Sequence, residues 1–126
     1  MNPSPQPDTE NPVIKLCMAG STAEFQGRKQ DAILLYRQAW QAATNDYEAC
    51  IAAHYVARFQ DTPADALHWN ETALRHAETS GDERVKPFYA SLYVNLGQSY
   101  ALTGNPAQAQ KYYALAASLG ILHQED

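Results

Sequence analysis

The fold is indicated most directly by residues 93–116, which read YVNLGQSYALTGNPAQAQKYYALA. Apolar and aromatic residues recur on both sides of Gly104 at the spacing of amphipathic helices. Gly104 can adopt the left-handed conformation that closes a helix. Asn105 then offers a cap, and Pro106 stands at the first helical position, where no backbone donor is needed. The stretch therefore predicts two helices joined by a short turn.

The chain from Val13 onward carries the same punctuation: predicted helices end near Gly27 and at Ser80-Gly81, and Thr62-Pro63 offers a cap and a first-turn proline. β-branched clusters and Asn-Gly hairpin signals are scarce. Helices are predicted over residues 13–24, 29 to about 44, 46–59 and 63–79, then from a start between 82 and 87 to 104, and from 105 to 120. The links between them are short, which is typical of antiparallel neighbours. The fold class predicted is all-α.

Small residues repeat at a fixed interval along the chain. Ala32 and Ala66 are 34 positions apart, as are Ala39 and Ala73. Ala66 and Ala109 are 43 apart, which is the same interval plus nine inserted residues. The interval divides the chain into a tail over 1–12, units over 13–46, 47–80 and 90–123, an insertion over 81–89, and a tail over 124–126. A repeat architecture of three helix pairs is therefore predicted.

The third unit resembles the tetratricopeptide repeat. It has Tyr93-x2-Leu96-Gly97-x2-Tyr100, followed by Ala109-x3-Tyr113 and Ala116. The first unit is similar through Leu16, Ala19, Gly20, Gly27, Ala32, Tyr36 and Ala39, and the second through Ala53, Ala57, Ala66 and Ala73. The second unit departs from the family at His54, where a small residue is usual, and at Asn70, where an aromatic is usual. No unit has the family's late proline; Thr44, Glu78 and Ile121 stand there.

The resemblance implies a right-handed superhelical stack of three helix-turn-helix pairs, an α-α superhelix. Small residues such as Gly20 and Gly97 would let helix backbones approach, and Tyr36, Tyr100 and Tyr113 would fill the space between pairs. A single pair cannot bury its apolar face, so neighbours must stack. A six-helix bundle with accidental alanine spacing is the alternative.

The resemblance also implies a concave groove, lined by the first helix of each pair, that holds a peptide or a partner helix. By position, the groove would be lined by Ile14, Cys17, Ser21, Glu24 and Phe25, then Glu48, Ile51, Tyr55, Arg58 and Phe59, then Ser91, Val94, Gln98, Ala101 and Leu102. The binding residues predicted from this set are Cys17, Ser21, Glu24, Tyr55, Arg58, Phe59 and Gln98. Tyr55 and Phe59 offer aromatic anchors beside Arg58, a cation able to grip a carboxylate. In the alternative interpretation, Phe25, Phe59 and Leu102 are core residues under the helix turn.

Composition narrows the classes of function. A net charge of -5 repels a phosphate backbone, so no nucleic-acid partner is expected. No apolar run is long enough to cross a membrane, and the N-terminus lacks a signal sequence. Cys17 and Cys50 form no zinc motif or disulfide framework, which favours a reducing cytoplasm. The four histidines have no metal-ligand spacing, and the motifs of hydrolases and of nucleotide-binding enzymes are absent. We therefore expect neither an enzyme nor a cofactor or metal.

Two regions extend beyond the repeats. The insertion 81–89 is predicted to lengthen the fifth helix and to present Val85, Phe88 and Tyr89 as a protruding edge; the alternative is a solvated loop with Phe88 tucked back. No capping helix follows the last pair, so Tyr112, Tyr113, Leu115 and Leu119 are predicted to form an uncovered apolar strip. Unless a tail folds across it, a homodimer through this end is expected. The sequence thus favours a scaffold or adaptor that binds another polypeptide, with a self-associating structural or regulatory subunit as the alternative.

Overall fold

The computed structural model describes residues 10–124, with side-chain surroundings as far as Leu119, and its regular structure in that range is entirely helical. The α-helices are α1 (Pro12–Phe25), α2 (Lys29–Ala42), α3 (Asp46–Val56), α4 (Pro63–Ser80), α5 (Tyr89–Leu102) and α6 (Pro106–Gln124). Short 3₁₀ helices cover Ala57–Phe59 and Glu83–Phe88. Within the described range, no helix has the length and apolarity needed to span a membrane. The predicted tails fall mostly outside this range, at 1–9 and 125–126.

Side-chain caps explain where several helices begin. The hydroxyl of Thr62 accepts a hydrogen bond from the backbone N–H of Asp65 at 3.1 Å, as predicted for the start of α4. Asn105 caps α6 in the same manner, with a distance of 3.3 Å to the N–H of Gln108. The side chains of Asn11 and Asn45 cap α1 and α3. These polar residues satisfy backbone donors that have no partner within the helix.

The helices pack as three antiparallel pairs that stack in sequence order. Within pairs, α1 packs on α2, α3 on α4, and α5 on α6; between pairs, α2 contacts α3 and α4 contacts α5. One cluster of buried side chains runs through all three pairs, from Cys17 through Cys50 to Leu92 and Leu96. The predicted all-helical stack of helix pairs is therefore confirmed.

Two pairs are closed by a tyrosine lying against a glycine. A Cβ atom on Gly20 would stand 2.4 Å from Cε1 of Tyr36, and one on Gly97 would stand 2.5 Å from Cε1 of Tyr113. Real Cβ atoms do not approach other atoms so closely, so neither position accepts a side chain without movement. At both positions the missing side chain makes room for a tyrosine ring of the paired helix.

The second pair reverses this arrangement of large and small residues. His54 occupies the glycine position, and Asn70 replaces the tyrosine. Asn70 is buried and donates a hydrogen bond to the Ser99 hydroxyl at 2.9 Å, which links α4 to α5. The His54 ring lies 5.3 Å from the ring of Tyr55 and 6.4 Å from that of Phe88. In this pair the larger side chain, His54, lies on the first helix, and the smaller one, Asn70, lies on the second.

The insertion and the end of the chain differ from prediction. Val85 is buried in the main cluster, and Phe88 packs against that cluster, so the predicted protruding edge is wrong for both residues. The segment is a separate 3₁₀ helix with Pro87 inside it, and it does not lengthen α5 as predicted. At the other end, α6 continues past Gly120 to Gln124 instead of stopping at the glycine. A glycine inside a helix is unfavourable by only about 1 kcal/mol relative to alanine, which packing can offset.

Candidate partner-binding surface

The side chain of Tyr36 contacts most of the predicted binding residues. Its hydroxyl donates a hydrogen bond to Oε1 of Glu24 at 2.8 Å and lies 3.3 Å from the hydroxyl of Ser21. Its ring stacks on Tyr55, with ring centres 5.1 Å apart, and lies 6.4 Å from the ring of Phe59. Helix α2 thus places one aromatic side chain between the first and second pairs, and side chains from α1, from α3 and from the 3₁₀ helix that follows α3 gather around it.

Glu24 and Arg58 form an ion pair that joins the first two pairs. Arg58 donates from Nε to Oε1 of Glu24 at 3.0 Å, and its Nη2 also contacts Oε2. The two residues occupy equivalent positions, 34 apart in the chain. The hydrogen bond from Arg58 lowers the pKa of the Glu24 carboxyl, and the bond to Glu24 raises the pKa of Arg58. The charge of Arg58 is therefore already compensated within the chain.

Burial keeps the Tyr36 phenol protonated. It raises the pKa of Tyr36 to about 12, and the neighbouring Glu24 carboxylate acts in the same direction. The phenol therefore keeps its proton, and its ability to donate a hydrogen bond, to a higher pH than an ordinary tyrosine does. A buried tyrosine needs a partner for its hydroxyl, which was the signal in the sequence that Tyr36 does more than fill space.

The deep part of the predicted groove is closed. Cys17, Ile14 and Ile51 are each 5% exposed or less, and all three belong to the main buried cluster. Burial raises the pKa of the Cys17 thiol to about 12, so it is protonated and enclosed. Cys17 is the one predicted binding residue whose side chain is fully enclosed.

The accessible part of the predicted groove lies along α5 and at the C-terminal ends of the first helices. All five α5 residues predicted for the groove are exposed: Ser91, Val94, Gln98, Ala101 and Leu102. Gln98 is thus accessible but stands apart from the residues around Tyr36. Phe25 is 93% exposed and Leu102 71%. The interpretation of these two side chains as core is wrong, while Phe59 is half-buried.

Residues 90–119 match the family model of the tetratricopeptide repeat. The third pair is therefore a tetratricopeptide-like repeat. The matched residues are those of the third pair, where the glycine and tyrosine positions are fully kept. Comparison with curated proteins and with solved structures found no match. Tetratricopeptide repeats are non-catalytic modules that generally mediate protein–protein interaction.

Among the described side chains, those of residues 10–119, no group of three or more from histidine, cysteine, aspartate or glutamate is arranged to hold a metal ion. The accessible residues of the predicted groove offer aromatic faces, exposed apolar side chains, amides and an ion pair.

Proposed function

We propose that this tetratricopeptide-like protein is a scaffold or adaptor that holds a segment of a partner polypeptide against its inner surface. The surface consists of the exposed face of α5 together with the apolar side chains at the ends of the first helices. Its binding residues are Ser21, Glu24, Tyr55, Arg58, Phe59 and Gln98, with Phe25 and Leu102 added.

The observation that carries the proposal is the exposure of Phe25 and Leu102. They stand at equivalent positions of the first and third units, and Phe59 stands at the same position of the second. A large apolar side chain that faces water at a repeated position gains free energy when a partner covers it, about 25 cal/mol for each Å² removed from water. Such exposed apolar surfaces mark interaction sites.

The ion pair between Glu24 and Arg58 affects which kind of partner segment the surface can bind. Since Glu24 and Arg58 neutralise each other, the site does not select a free carboxylate. Apolar side chains of the partner would cover Phe25 and Leu102, and its polar groups would meet Gln98 and Ser21. A charged terminus is not required.

Capture of a partner by the immobilised full-length chain tests this function. We expect Phe25→Ser combined with Leu102→Ser to abolish capture of proteins from a lysate of the native cells. Both side chains are exposed, so the variant keeps its fold. Leu34→Ser is the matched control, because Leu34 is a 59% exposed leucine on α2. Equal capture by the double variant and the Leu34 control would contradict the proposal.

Self-association is the second candidate, and the exposure of α6 favours it. Tyr113, Leu115 and Leu119 are between 37% and 43% exposed on the last helix of the stack. A second copy of the chain would cover this strip. Sedimentation at micromolar concentration would then give a dimer, and Leu115→Glu would give a monomer. A wild-type monomer would remove this candidate.

A further inference from the structure

Two crevices open at the edge of the stack where each helix pair connects to the next. The first has a volume of about 670 Å³ and is lined by residues that include Trp40, Thr44, Asp46 and His76. The second has a volume of about 390 Å³. Its lining residues are Glu78, Lys86, Tyr89, Tyr93 and Leu119. Phe25 and Leu102 end helices that begin at this edge, so the crevices lie at the opposite end of the helices from these two side chains.

The two crevices are repeats of one structural feature. Thr44 in the first and Glu78 in the second stand 34 residues apart. Asp46 and Tyr89 are 43 apart, which is the repeat interval plus the nine inserted residues, and His76 and Leu119 are separated by the same number. A partner that extends along this edge would meet the same kind of cavity at successive pairs.

Each crevice combines an aromatic wall with a carboxylate. In the first, Oδ1 of Asp46 lies 2.7 Å from Nδ1 of His76, and the His76 ring lies 6.0 Å from that of Trp40. In the second, the rings of Tyr89 and Tyr93 are 5.7 Å apart. Burial raises the pKa of both tyrosines, and the nearby charge of Glu78 raises it further.

Glu78 has no ion pair with any residue of the described chain. Among the described residues that line its crevice, Lys86 is the one cation, and its Nζ lies 3.0 Å from Oε1 of Glu83. An apolar ligand would remove the Glu78 carboxylate from water without giving it a partner, which is unfavourable. An anionic ligand would be repelled by it. A cation beside an aromatic face and a carboxylate is favoured by both groups.

We infer that the two crevices form a second binding surface for an extended basic peptide of a partner protein, which places an arginine or lysine side chain in each crevice. The net charge of -5 attracts such a peptide from a distance. In the second crevice the cation lies against Tyr89 and Tyr93 and pairs with Glu78. In the first it lies against Trp40 and shares Asp46 with His76, whose Nδ1 already contacts Oδ1 of that carboxylate.

Fluorescence anisotropy of the full-length chain with a labelled peptide of alternating arginine and glycine tests this inference. We expect binding that Glu78→Gln weakens by about five- to tenfold, the effect of one charge-assisted contact. Tyr89→Leu keeps an apolar side chain but removes the aromatic face, and weakens binding by about twofold to fivefold. Asp61→Asn is the matched control, since Asp61 is an exposed carboxylate in the link between the paired helices α3 and α4, at the opposite edge. It changes affinity less than twofold.

Three results would overturn the inference. One is absence of binding by the wild-type chain at low salt. Another is an equal loss in the Glu78→Gln and Asp61→Asn variants, which would indicate attraction by overall charge alone. The third is equal affinity for a peptide with glutamate in place of arginine. The Phe25→Ser and Leu102→Ser variant should bind the arginine peptide normally, which separates this surface from the inner one.

Discussion

Gly20 and Gly97 each make room for a tyrosine ring, but the two rings differ in how freely they can move. Tyr36, which lies against Gly20, is 1% exposed, whereas Tyr113, which lies against Gly97, is 37% exposed. Overpacking a site that cannot relax costs about 1–3 kcal/mol, while alanine in a helix gains about 0.5–1 kcal/mol over glycine. We therefore expect Gly20→Ala to lower the free energy of unfolding by about 1–2 kcal/mol and Gly97→Ala to leave it nearly unchanged.

Urea denaturation measures both changes. Ser91→Ala, on the exposed face of α5, is the control for a substitution that meets no neighbour. Equal destabilisation at Gly20 and Gly97 would show that the exposed Tyr113 ring cannot move away, and would contradict the prediction.

His54 makes the junction between the second and third pairs sensitive to pH. Burial, together with the charge of Arg58, lowers the pKa of His54 below its usual value near 6.5. The unfolded chain therefore binds a proton at a higher pH than the folded chain does. The stabilising contribution of neutral His54 is complete above the unfolded pKa and is lost as pH falls from there toward the folded pKa.

Thermal or urea unfolding between pH 7.5 and pH 5 measures this loss. We expect the free energy of unfolding to decrease more over this range for the wild type than for His54→Gln, which keeps a polar side chain that does not titrate. The pKa values of Glu24 and Glu48 lie below the usual value for a glutamate side chain. Their contributions to the free energy of unfolding are therefore lost only at more acidic pH. Parallel pH profiles for the two proteins would contradict the assignment to His54.

At the scale of helices, the sequence was most informative where the signal is local. Thr62-Pro63 and Asn105-Pro106 predicted the starts of α4 and α6, because a cap and a first-turn proline act within one helical turn. Gly27, Gly81 and Gly104 all have positive φ after the helices that they were predicted to end. Gly120 is also a glycine, but it lies inside α6, so a glycine alone does not determine where a helix ends.

The binding surface was less predictable, because exposure depends on contacts between distant segments. Position in the repeat placed Cys17 and Gln98 on the same face, yet one is enclosed and the other is open. The pairing of Arg58 with Glu24 joins residues 34 apart and changes what Arg58 can bind. Sequence periodicity indicates which face a residue occupies but not which neighbour covers it.

The insertion packs into the core as a separate element, and this can be tested. Val85 is 3% exposed within the main cluster, whereas the side chain of the next residue, Lys86, is 70% exposed. Val85→Ala removes two buried methyl groups and should lower the free energy of unfolding by about 1–3 kcal/mol. Lys86→Ala should change it by less than about 0.5 kcal/mol. Chemical denaturation of both variants measures the difference, and equal effects would mean that the insertion does not stabilise the stack.

For the whole molecule, one buried cluster that crosses all three pairs predicts cooperative unfolding. The rings of Trp40 and Trp69 lie 5.0 Å apart at the junction of the first two pairs, so their fluorescence reports that junction alone. Far-UV circular dichroism reports all six helices. Because Leu92 and Leu96 of α5 belong to the same cluster as residues of α1 and α3, no pair can unfold without exposing its neighbour's apolar surface. We expect the two signals to give the same urea midpoint. A fluorescence midpoint above that of circular dichroism would mean that the third pair unfolds first, and would contradict a single cooperative stack.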